Sequence, residues 1–78
     1  MLKEIEELLR FGYNISFTRE LNQIGIEVSK IIPNIKHGET KVNTKAVLPF
    51  DHLYESKIIG CIKYLHEETT KKVRKLID

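Results

Sequence analysis

The sequence predicts an α+β fold of order α-β-β-β-α, an antiparallel three-stranded meander with a short N-terminal helix and a long C-terminal helix on one face. Three observations carry this. Apolar residues recur at helical spacing at the start, alternate every second residue through the middle, and return to helical spacing over the last third. Gly12, Pro33 and Pro49 fall where the period changes.

Leu2, Ile5, Leu8 and Leu9 share one helical face, and Gly12 follows as a stop, so the first helix is expected over residues 2–11. Tyr13, Ile15 and Phe17 then alternate with Asn14, Ser16 and Thr18, the repeat of a half-buried strand. After a turn at residues 20–23, Ile24, Ile26 and Val28 alternate with Gly25, Glu27 and Ser29, which makes a hairpin. Pro33 is expected to close that strand, and PNIKHGET to form a loop with Gly38 at positive φ. The third strand sets Val42, Thr44, Ala46 and Leu48 against Lys41, Asn43 and Lys45, and Pro49 ends it. Tyr54, Ile58, Cys61, Ile62, Leu65, Thr69, Val73 and Leu76 form a stripe about 120° wide, so one helix is expected over residues 51–77. Asp51 is its expected N-cap, KKVRKLID supplies cations to its C-terminal end, and mid-helix Gly60 is expected to permit close packing. The expected core is Ile5, Leu9, Ile15, Phe17, Ile26, Val28, Ala46, Leu48, Ile58, Ile62 and Leu65. The polar set Asn14, Ser16, Thr18, Glu27, Ser29, Asn43 and Lys45 is expected on the opposite, open face.

Seventy-eight residues allow one small domain, residues 1–78, near the size at which a single core only just suffices. An apolar fraction of 41% with 31% charged residues favours a folded domain over disorder. One cysteine excludes an internal disulfide framework and fits a reducing compartment. No apolar run approaches the roughly 20 residues of a membrane span, and the acidic start MLKEIEELLR does not resemble a signal peptide. A cytoplasmic protein is expected, and no membrane partner. The net charge of +2 falls short of the basic excess of dedicated nucleic-acid binders.

DHLYESKIIGCIKYLHEE concentrates two histidines, a cysteine and two tyrosines, yet it lacks the spacing of a metal motif. Cys61 and His66 point about 140° apart on a helix, His52 lies more than two turns from His66, and His37 belongs to a separate loop. No metal, cofactor or catalytic residue is assigned. Cys61 falls inside the apolar stripe, where a free cysteine packs as a small hydrophobe, and Asp51 with Glu55 suits a helix start. The glycines are isolated, so there is no phosphate-binding loop, and the protein is read as non-enzymatic.

Two surfaces remain. Leu53, Lys57, Tyr64, Lys71 and Lys75 project within about 40° of one another on the long helix, where a tyrosine among lysines suits a partner-binding patch. A helix of about 40 Å also outruns seven-residue strands of about 23 Å. Thr69, Val73, Leu76 and Ile77 at its end are therefore expected either to sit under the first helix or to pair two copies in a weak homodimer.

The α-β-β-β-α order resembles the topology of the double-stranded-RNA-binding domain, which implies nucleic-acid or nucleotide binding as the alternative function. That family's lysine-rich motif at the start of its second helix is replaced here by PFDHLYESK. The cations fall instead at Lys71, Lys72, Arg74 and Lys75. The short acidic leucine-rich helix, the strands GYNISF and IGIEVSK, the strand ending VLP and the long closing helix resemble small phage and prophage proteins of low-GC Gram-positive bacteria. That resemblance implies an accessory viral protein that acts in the host cytosol by direct binding, as anti-CRISPR proteins do when they inhibit a host defence nuclease.

Overall fold

The chain follows the expected α-β-β-β-α order, and the computed structural model describes residues 2–34 and 38–77. Helix α1 is Leu2–Arg10, and strands β1, β2 and β3 are Tyr13–Glu20, Gln23–Asn34 and Gly38–Pro49. A 3-10 turn at Phe50–His52 leads into helix α2, Glu55–Ile77. The strands form one antiparallel sheet in the order β1-β2-β3. α2 packs on β2 and β3, while α1 packs on β1. Leu8 from α1, Tyr13 from β1, Ile26 and Val28 from β2, and Ile62 and Leu65 from α2 make one core cluster.

The second and third strands are longer than expected. Pro33 does not close β2 but pairs with Glu39 inside the ladder. Its position explains why this is tolerated. β1 pairs with β2 only as far as Lys30, so beyond that residue one side of β2 has no neighbour. Gln23 to Ser29 direct their odd-numbered backbone groups toward β1, and Pro33 lies in the same phase, where no ladder bond is lost. Gly38 has the expected positive φ of 78°; His37 lies outside the described residues.

The added length removes the overhang expected of the long helix. Twelve-residue strands run about 40 Å, against about 35 Å for the 23 residues of α2. Thr69 and Val73 are buried on the chain's own sheet, not under α1 and not at a free seam. The Thr69 hydroxyl lies 2.7 Å from the Leu65 carbonyl oxygen, 3.1 Å from the Thr44 hydroxyl and 3.2 Å from the Val28 carbonyl oxygen. One proton serves one carbonyl, the nearer being Leu65, and the Thr44 hydroxyl can donate in return. This polar pin fixes α2 along the β2–β3 ribbon.

Four further expectations change. Leu8 is buried and Leu9 exposed, because α1 sits in the corner between β1 and α2 and its buried arc centres on Leu8. Phe17 is 52% exposed, although it shares the covered face with Ile15. The nine residues of α1 span about 13 Å, enough to cover roughly four strand residues counted back from Tyr13. Phe17 therefore lies at the rim. Asp51 is no N-cap: it sits in the 3-10 turn, and the Tyr54 carbonyl accepts the first α2 bonds, from the Lys57 and Ile58 N–H groups at 3.0 and 3.1 Å. Gly60 is exposed, and a Cβ there would meet nothing within 4 Å, so it permits no close packing.

Ile62→Ala should cost about 2–5 kcal/mol in urea unfolding, as the truncation of a fully buried side chain. Gly60→Ala should raise stability by about 1 kcal/mol, since the new methyl points into open space on a helix.

Candidate functional site

Lys57, Tyr64, Lys71 and Lys75 lie exposed on the outer face of α2, as their spacing requires. The Lys71 Nζ is 3.3 Å from Glu68 Oε1. Leu53 does not join them. It is half-buried in the link before α2, at φ −85° and ψ 66°, because the helix starts only at Glu55. Among the tail residues Leu76 is exposed and lines a shallow depression with Val42, Lys41, Lys72 and Lys75. The side chain of Ile77 lies outside the described residues.

The histidines and the cysteine do not converge. His52 is exposed on the 3-10 turn, while the half-buried His66 ring stands edge-on to Tyr13, with centroids 4.7 Å apart at 86°. Tyr13 also hydrogen-bonds the Thr70 hydroxyl at 2.7 Å and carries the Lys30 ammonium 4.7 Å above its ring. Burial pushes the Cys61 thiol above its ordinary pKa, which keeps it protonated. Among the described residues no three His, Cys, Asp or Glu side chains gather as a metal-holding group, and no helix is long and apolar enough to cross a membrane.

The open sheet face is polar, and its charges are matched internally. Lys45 Nζ lies 2.6 Å from Glu20 Oε1, across Gly25, where a Cβ would come within 2.9 Å of Lys45 Cε. Lys41 Nζ and Asn43 Nδ2 donate to the two oxygens of Glu27 at 3.2 and 3.0 Å. The Lys45 hydrogen bond holds Glu20 below the ordinary carboxylate range, and the Asn43 hydrogen bond does the same for Glu27.

The unbalanced surface lies elsewhere, at the end of the sheet where the β1–β2 hairpin turns. Phe17, Thr18, Arg19, Ile24 and Phe50 line an open depression of about 380 Å³. Leu21 occupies the two-residue hairpin tip at φ 40° and is 91% exposed. Glycine, asparagine or aspartate ordinarily takes such a position, so an exposed leucine combines backbone strain with lost solvation. The Phe50 N–H donates to the Asn22 carbonyl at 3.1 Å and ties the 3-10 turn to the hairpin tip. Arg19 makes no ion pair among the described residues. The sequence signal for this site was available: the tip reads ELNQ, with leucine where turn chemistry asks for a polar residue or glycine.

Comparison with family models, curated proteins and solved structures returns no match.

Stability should fall as the pH drops below about 4.5, the ordinary value for Glu20 and Glu27. A depressed folded-state pKa contributes stability that is complete above the unfolded value and is lost as pH falls through the folded one. Urea midpoints from about pH 6 to about pH 3 should show this loss, and Lys45→Met should reduce it by releasing Glu20.

Proposed function

We propose that the protein is a non-catalytic binding protein that docks on a partner protein through the hairpin end, with Phe17, Leu21, Ile24 and Phe50 at the centre and Arg19 beside them. The supporting observation is Leu21, an apolar side chain held at positive φ and 91% exposed, at the end of the sheet where Phe17 and Phe50 are also left uncovered. Aromatic anchors with an arginine are the composition of interface hot spots. Lys57, Tyr64, Lys71 and Lys75 on α2 would steer encounter with an acidic partner surface. The resemblance to small phage accessory proteins gives this reading its biological form: cytosolic occlusion of a host protein, with a defence nuclease as the leading type of target.

The second reading, nucleic-acid or nucleotide binding, draws on the basic end of α2. There Lys41, Lys72 and Lys75 surround one depression. Lys72 donates to the Asn43 carbonyl at 2.7 Å and Lys41 to Glu27, so two of these three cations are already engaged. The protein reading is the better supported.

Capture from a host lysate should yield a protein that Phe17→Ser and Leu21→Asn each lose by about tenfold or more, the size of a hot-spot truncation. Asparagine tolerates positive φ, so Leu21→Asn should unfold no earlier than the parent in urea, which separates lost binding from lost fold. Raising salt from about 0.05 to 0.5 M should leave most of the capture intact. Tight binding of duplex or single-stranded nucleic acid, collapsing over that range, would favour the second reading.

A further inference from the structure

The two edges of the sheet are built differently. Glu20 and Gln23 flank a two-residue turn, so they form a hydrogen-bonded pair, and the pairing alternates from there. Asn14, Ser16, Thr18 and Glu20 face β2, whereas Tyr13, Ile15, Phe17 and Arg19 direct their N–H and C=O groups away from the sheet. The same alternation carried through β2 turns Asn43 outward from β3, and there the Lys72 Nζ lies on its carbonyl at 2.7 Å. That edge also carries Lys41 and Lys45, so lysines guard it. The β1 edge, YNISFTR over residues 13–19, has no lysine, no proline and no interruption of register. Arg19, at the hairpin end, is the one charge on that stretch.

A step of apolar side chains overlooks that edge. Glu4, Glu7, Leu8 and Phe11 line the cleft between α1 and α2. Leu9 projects about 100–160° from the three of these within α1, and Leu2 lies within about 20° of Leu9, on the side away from α2. Both are exposed, as is Phe17 at the rim of the covered face. With helices spaced about 8–10 Å and strands about 4.8 Å, a helix beside α2 stands over the outer margin of β1. The space beneath its outer flank is the place of a fourth strand.

We propose that the partner contributes an extended segment, which adds to the outer edge of β1 as a fourth strand. Its main chain pairs with Ile15, Phe17 and Arg19, its alternate apolar side chains lie under the Leu2–Leu9 flank, and a carboxylate meets Arg19. A second copy of this chain fits less well. Antiparallel pairing of two β1 edges, about a two-fold axis normal to the sheet, would bring both α1 helices onto the same margin of the same face, closer than the spacing helices keep. Main-chain pairing makes capture tolerant of sequence, while the alternate side-chain positions and Arg19 set the preference. This inference rests on the partner-binding reading and specifies how the partner is held.

Amide hydrogen exchange followed by NMR tests it, with a synthetic peptide of about eight residues alternating valine and threonine and carrying one glutamate as the probe. In the free protein the Ile15, Phe17 and Arg19 amides should exchange freely, and the Ser16 and Thr18 amides slowly. Saturating peptide should slow the first three by about tenfold or more, while a peptide N-methylated at alternate amides should not. Arg19→Ser should weaken the peptide about threefold, the range of an exposed ion pair. Shifts at Phe17, Leu21 and Phe50 without protection of those amides would overturn strand addition and leave the hairpin-end reading standing. Complete absence of protection at millimolar peptide would also overturn it, and the lysate capture then judges the broader reading separately. Protection that grows with protein concentration alone would overturn it in favour of a second copy.

Discussion

The constraint on which the rest depends is the match in length between α2 and the β2–β3 ribbon. Ile62, Leu65, Thr69 and Val73 are buried on that ribbon, and Ile26 and Val28 of β2 are closed off completely beneath them. Each of the apolar side chains among them contributes roughly 1.5–3 kcal/mol by burial, a large share for a chain of this size. The Thr69 hydroxyl, engaged within the helix and against β3, resists sliding of the helix along its bed. β1 and α1 then have only one side of the sheet left to complete. At eight and nine residues they are too short to complete it. Part of the exposed apolar surface accordingly lies on the β1 side, at Leu2, Leu9, Phe17 and Leu21.

Electrostatics draws the same distinction between finished and unfinished surfaces. On the open face Glu20 pairs with Lys45, and Glu27 with Lys41 and Asn43. These exposed pairs add little stability each. Their effect is to leave the middle of that face without a free field for an oppositely charged partner. At the hairpin end Arg19 has no such match, and its neighbours are aromatic. A net charge of +2 thus says less than its distribution does.

The order of elements was legible because periodicity survives in single residues: Ile15 against Ser16, Ile26 against Glu27, Ala46 against Lys45. Strand length was not legible at Pro33. A proline stops a strand only where its N–H is needed, and that depends on where β1 ends, which the sequence of β2 does not contain. From that misplaced strand end followed the expected overhang of α2, the premise on which self-association of its tail was drawn. Leu8 and Leu9 illustrate a second limit. Both fit the amphipathic stripe, and only the position of α2 decides which of them is buried. The flank of α2 was readable from spacing alone, except at Leu53, where the 3-10 turn delays the helix. The hairpin end was readable in principle, since a leucine at a two-residue turn violates local preference. Its weight comes from Phe50, which reaches the same spot from 29 residues away in sequence through its bond to Asn22 (21 to 50).

A small domain that exposes aromatic and leucine side chains bears a cost in solubility that an unconstrained sequence would remove by polar substitution. Here the exposed set spans several elements. One part of it, Leu2, Leu9, Phe17 and Leu21, runs from the outer flank of α1 along the rim of β1 to the hairpin tip, whereas on the β3 side the exposed Val47 and Leu76 lie among Lys41, Lys45 and Lys72. An edge strand is the cheapest place on a sheet to attach another chain, because the donors and acceptors are already aligned. A fold that sets lysines along one edge, and leaves the other with Arg19 alone beneath an apolar overhang, differs between its two edges in the feature that decides whether another strand can add.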